Sequence, residues 1–119
     1  MVTSPWTPVA PQSFVWGIMK RINIAGTSLV TGSALADAVL AYWMSLARLH
    51  RLDTAEIPFV DHDGSRQRAR LVLSADCPIW TSTVATSEIE LEDAVTLADL
   101  RMRTADLEPS WSLRATGFD

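Results

Sequence analysis

Residues 33–52, Ser-Ala-Leu-Ala-Asp-Ala-Val-Leu-Ala-Tyr-Trp-Met-Ser-Leu-Ala-Arg-Leu-His-Arg-Leu, decide the fold, because they read as a helix with too little polar surface for the outside of a small monomer. Ser33 follows Gly32 as N-cap, Asp37 lies early, and Arg48, His50 and Arg51 crowd the last turn. Neither Pro nor Gly interrupts the run. Leu35, Val39, Tyr42, Trp43, Leu46 and Leu49 recur at helical spacing and make one broad apolar stripe. Ala36, Leu40, Met44 and Ala47 make a second stripe, leaving Asp37, Ser45, Arg48 and Arg51 as the wet positions. Such a helix is either wrapped by its own chain or covered by another copy of it. A membrane span fits poorly, since Asp37 inside the bilayer costs about 2.5 kcal/mol or more.

Upstream, residues 1–12 are punctuated by Pro5, Pro8 and Pro11 and read as an extended arm, and no signal peptide is legible there. Residues 13–25 alternate, with Phe14, Trp16, Ile18, Ile22 and Ile24 on one face, which predicts a long strand. Lys20 breaks that face and marks a bulge or an exit from the core. Residues 26–32 read as a Gly-bounded connection into the helix. Downstream, residues 55–75 read as a β-hairpin around Asp61-His62-Asp63-Gly64. A three-residue loop with Gly64 in the left-handed region puts Ile57, Phe59, Ala69, Leu71 and Leu73 on one face and Glu56 opposite Arg70 on the other. A turn at Asp76-Cys77-Pro78 leads into a strand from Ile79 to about Ala85. Ser87 with Glu90 forms a capping box, and residues 88–106 read as a second helix stopped by Pro109. The rival reading there is a strand, from the alternation Glu88 to Glu92.

The expected architecture is therefore α+β: an antiparallel sheet of about four strands packed on the central helix 33–52, with a second helix near the C-terminus. One domain spans residues 13–109 and a short tail spans 110–119. A net charge of −4 is spread unevenly, with +3 on residues 1–51 and −5 on residues 77–119, so the last third is a poor partner for nucleic acid. Cys77 is the only cysteine, which excludes an intrachain disulfide and points to a cytoplasmic setting. Nine of the ten basic residues are Arg and Ala is abundant, the habit of a GC-rich bacterial genome.

Few constellations carry chemistry. Asp61, His62 and Asp63 invite a metal reading, but an EF-hand frame would place Phe59 first and Arg70 twelfth, so a plain hairpin loop is expected. Cys77 with His50 or His62 has no supporting signature, and a carboxylate at Asp76 disfavours the thiolate. Gly26-Thr27-Ser28 is too sparse in glycine for a phosphate loop. No cofactor or metal is expected. Arg66, Arg68 and Arg70 project to one side of a strand about 6–7 Å apart, suited to an acidic protein partner or to the phosphates of a nucleic acid or, more simply, to a solvated face partly neutralised by Glu56 and docked by the acidic stretch Glu88 to Asp93. Of five tryptophans, Trp16, Trp43 and Trp80 are expected in the core, while Trp6 and Trp111 sit in Pro-flanked tails and should dock on the body or on a neighbouring subunit.

These residues point to a non-enzymatic interaction or assembly subunit, homo-oligomeric or bound to another protein, with Leu40, Met44, Ala47, Arg66, Arg68, Arg70, Trp6 and Trp111 as candidate contact residues. A long strand, a buried Ala-rich helix and antiparallel strands also resemble the hotdog fold of acyl-thioester enzymes, in which sheet wraps a central helix and subunits pair. The resemblance is architectural and carries no site residues. It implies the alternative, a small-ligand enzyme or binding protein, in which Asp37 beside a cleft is a candidate acid or base. Otherwise Asp37 complements the helix dipole from the first turn. A pocket beside Asp37 and the second stripe favours the ligand reading; a flat apolar patch favours assembly.

Overall fold

The structure, a computed structural model, describes residues 19–85 and 91–107. Residues 1–12 with Trp6, the stretch 13–18 with Trp16, the Ser87/Glu90 capping box, and the 110–119 tail with Trp111 lie outside the described residues. The elements run β1 (Met19–Ile24), β2 (Thr27–Gly32), α1 (Ser33–Arg48), β3 (Asp53–Val60), β4 (Arg66–Leu73), β5 (Ile79–Val84) and α2 (Ala94–Leu107). The class is α+β, with an antiparallel sheet packed on a long helix. The sheet has five strands in the order β4-β3-β2-β1-β5.

The extra strand is β2, where a connection was expected. Ala25 and Gly26, at φ 51° and 78°, close a two-residue hairpin turn in which both central residues are left-handed. The chain then pairs straight back, Ile22 with Leu29 and Ile24 with Thr27. Two features hid this strand: Ala-Gly is a weak hairpin signal, and a threonine, Thr31, occupies a fully buried core-facing position. Thr31 is satisfied there because its hydroxyl donates to the Pro58 carbonyl at 2.8 Å. Within one strand residue the N–H and C=O point to the same side, so Pro58 also presents its missing donor to β2. The ladder between β2 and β3 accordingly records one pair, Val30 with Val60.

The β3–β4 hairpin follows the expected register. Glu56 opposes Arg70 and Ile57 opposes Ala69. Asp61 N donates to Ser65 O at 2.8 Å, leaving His62, Asp63 and Gly64 in the loop, with Gly64 at φ 86°. Lys20 makes no bulge: β1 pairs without interruption on both sides, and Lys20 Nζ reaches Asp37 Oδ1 at 2.7 Å. Trp80 corrects an expectation. The β1–β5 register pairs it with Asn23 on the face away from the helix, and it is 60 % exposed.

α1 is shorter than the 33–52 stretch. Gly32 takes the N-cap position and Ser33 is the first helical residue, so Asp37 lies beyond the first turn. At the other end, His50 N donates to Ala47 O and Arg51 N to Leu46 O, a Schellman closure with His50 left-handed at φ 54°. Glycine is the usual residue there; histidine left no stop signal in the sequence. Leu35, Val39, Tyr42 and Leu46 of the first stripe are buried, and Val39, Tyr42 and Leu46 pack with Ile22, Ile57, Leu71 and Leu73 of the sheet. α2 covers another flank of α1 and inserts Leu100, which is 1 % exposed. It starts at Ala94, six residues later than expected. Asp93 caps it, accepting from Thr96 N at 3.1 Å and Thr96 Oγ1 at 2.8 Å. Among the described residues no helix is long and apolar enough to cross a membrane.

Candidate interaction surface

Ionisable side chains from three elements meet at one place. Tyr42 of α1 donates its hydroxyl to Asp53 Oδ2 at the start of β3. Arg103 of α2 donates to the same oxygen at 3.3 Å and to Thr54 O at 2.9 Å, while its Nε lies 3.1 Å from Asp99. The guanidinium carbon stands 5.9 Å from the Tyr42 ring centroid. Burial, and then the Asp53 hydrogen bond, push the Tyr42 hydroxyl above its ordinary range. The Tyr42 hydrogen bond holds the Asp53 carboxyl below its own. Each group spends its bonds on another member of the cluster, so the arrangement clamps α2 and β3 to α1.

The other chemistry-bearing residues stay apart. His62 is fully exposed at the hairpin tip, and the Asp63 carboxylate accepts from the Ser65 hydroxyl and then from its main chain, which lowers its pKa. Cys77 is half-buried, and its carbonyl, with that of Ser74, receives the Trp43 indole N–H. Among the described residues no three His, Cys, Asp or Glu side chains gather to hold a metal.

Arg66, Arg68 and Arg70 are all exposed on one face of β4. Arg68 is engaged, 3.5 Å from Glu56 diagonally across the hairpin and 3.2 Å from Asp93 at the start of α2. Arg66 and Arg70 make no ion pair among the described residues. On the same face a shallow recess of about 420 Å³ joins Val30 and Val60 to Arg21, Asp61 and Asp63, a mixture that favours no one ligand class.

The helical layer is different. The second stripe of α1 turns from the core outward: Ala36 is fully buried, Leu40 and Ala47 are half-buried, and Met44 is 55 % exposed. On the opposite flank an open groove of about 560 Å³ runs between the helices, lined by Ala34, Asp37, Ala38 and Ala41 of α1 and by Arg101, Thr104 and Ala105 of α2. Asp37, at its edge, is half-exposed and paired with Lys20. Beyond the groove the outer face of α2 carries Val95, 80 % exposed, and Met102, 61 % exposed, with Ala98 and Ala105 also exposed between and after them. That spacing of three and four residues was readable in the sequence. Which face of the helix stays uncovered is decided by its packing on α1, and the spacing alone does not say so.

Comparison with protein-family models, with curated proteins and with solved structures returned no match.

Proposed function

We propose that this chain is a non-enzymatic assembly subunit that associates with itself through its helical layer. The observation that carries the reading is the outer stripe of α2, where Val95 and Met102 stand 80 % and 61 % exposed one heptad apart. Two further features support it. The one convergent set of ionisable groups described above is engaged as a clamp, and Met44, backed by the half-buried Leu40 and Ala47, gives the far flank of α1 a second contact patch. Arg66 and Arg70, exposed and without an ion pair among the described residues, offer cations to an acidic partner surface, and Trp6 and Trp111 remain candidate anchors on a neighbour. Light scattering on the purified chain tests the reading. A mass that is a multiple of 13.1 kDa is expected, and a monomer at several hundred micromolar defeats it.

The groove beside Asp37 favours a second reading, a binding protein for a small apolar ligand. Ala41→Trp separates the two. Stoichiometric binding of an anilinonaphthalene sulfonate probe that this substitution abolishes, in a chain that stays monomeric, would favour the ligand class.

A further inference from the structure

We propose that α2 pairs in parallel with α2 of a second copy, in a two-fold dimer whose orientation is set by Arg101 of each subunit and Asp106 of the other. The inference rests on the assembly reading and names its partner and geometry. Val95, Ala98, Met102 and Ala105 occupy alternating three- and four-residue steps, the a and d positions of two consecutive heptads, and all four are exposed. Their flanks carry opposite charge. Asp99 and Asp106 lie on one side of the stripe, and Arg101 lies on the other, toward the groove with α1.

In a parallel pair the two flanks of one helix meet the opposite flanks of its neighbour, and Arg101 faces Asp106 five residues further along the partner chain, twice by symmetry. In an antiparallel pair each flank meets its own copy, so Asp99 and Asp106 confront Asp99 and Asp106. Arg101 and Asp106 form no ion pair within the described residues of one subunit, whereas Asp99 is already paired with Arg103. The charges left over are therefore the two that a parallel neighbour satisfies. Alanines at 98 and 105 add little bulk at the d positions, and Ala34 and Ala41 keep the α1 side of the groove low enough for a third helix to approach.

The test uses the full chain. Light scattering should give a dimer, and Val95→Asp with Met102→Asp should give a monomer whose melting temperature stays within a few degrees of the unmodified chain, since both side chains are exposed. Arg101→Asp or Asp106→Arg alone should weaken the dimer roughly tenfold, and the two together should restore it. Ala98→Cys, placed in a Cys77→Ser background, should cross-link to itself under oxidised glutathione, because d positions face each other in a parallel pair. A dimer untouched by Val95→Asp with Met102→Asp overturns this pairing and leaves the assembly reading standing. Cross-linking of Ala98→Cys to a Met102→Cys chain in preference to itself overturns the parallel orientation. A monomer at every concentration defeats both inferences.

Discussion

α1 and α2 are of similar length, 16 and 14 residues, but seven residues of α1 are buried and two of α2. α1 packs on the sheet with Val39, Tyr42 and Leu46, while α2 touches the core chiefly through Leu100 and is otherwise fastened by polar bonds, the Asp93 cap and the Arg103 clamp. The contrast separates what holds this chain together from what it has left to offer. The helix that makes the core leaves Met44 as its one large exposed apolar side chain, and the helix that rides on it keeps an apolar face the fold does not use.

The sharpest way to break that contrast is to truncate one large side chain on each helix. Leu46→Ala, at a site 2 % exposed, should cost about 2–5 kcal/mol in a urea or thermal unfolding experiment. Met102→Ala, at 61 % exposure, should stay within about 0.5 kcal/mol in a dilute sample where subunits are separate. Comparable losses at both sites would mean that α2 is core as much as α1.

A smaller effect probes how α2 is fastened. Asp93→Ala should cost about 1 kcal/mol through loss of the cap, and Tyr42→Phe a similar amount through the clamp. Acid sharpens the point. Thr96, by its main chain and then its hydroxyl, holds the Asp93 carboxyl below the usual range, and Tyr42 does the same for Asp53. In the folded chain these groups take up protons at lower pH than in the unfolded chain. Their contribution is therefore present above the ordinary aspartate pKa of about 3.9 and is lost as pH falls through the depressed values. Asp93→Asn keeps a capping oxygen but removes the titration, so it should flatten the decline of stability below about pH 4 while costing less than Asp93→Ala at pH 7. An unchanged acid slope would remove Asp93 from the account.

At the other helix terminus the sign reverses. His50 stands left-handed in the Schellman closure, a conformation that costs an L-residue about 1–2 kcal/mol. His50→Gly should relieve part of that strain, offset by the greater freedom glycine gives the unfolded chain, for a net gain of a few tenths to about 1 kcal/mol. A loss of stability would show that the imidazole contributes something the closure needs.

The same closure explains what was legible in the sequence. Features written in side-chain periodicity came through: the core stripe of α1 from Leu35 to Leu46, though Leu49 is exposed and Ser45, expected to be wet, is buried; the Glu56–Arg70 register; the left-handed Gly64; and the strand from Ile79. Features that depend on backbone geometry adopted by unusual residues did not. A helix stop at histidine, a hairpin turn at Ala25-Gly26 and a core strand facing inward with Thr31 all lack the residues that normally announce them. Trp80 misled for a related reason: its size argued for burial, but period-two alternation from Ile79, which is buried, sends it to the opposite face. The outer stripe of α2 is present in the letters, but which face of α2 stays uncovered depends on how it packs on α1.

The smallest expected effects lie on the arginine row, where two neighbours differ from the one between them. Arg68 contacts Glu56 and Asp93, whereas Arg66 and Arg70 are exposed and make no ion pair among the described residues. Arg66→Glu with Arg70→Glu should therefore change stability by less than about 0.5 kcal/mol, even though two charges are reversed. Arg68→Glu should cost more, up to about 1 kcal/mol, because it sets a third carboxylate against two that already face it. Its side chain is about half-exposed, so solvent screens the loss, and in 1 M salt, where the screening length is about 3 Å, most of the difference between the variants should vanish. Thermal melts at low and high salt measure it. If the Arg66 and Arg70 reversals instead cost as much as Arg68→Glu, and do so only at concentrations where the chain associates, the row belongs to a contact between subunits, and the acidic partner surface must be sought on the next copy rather than at Asp93.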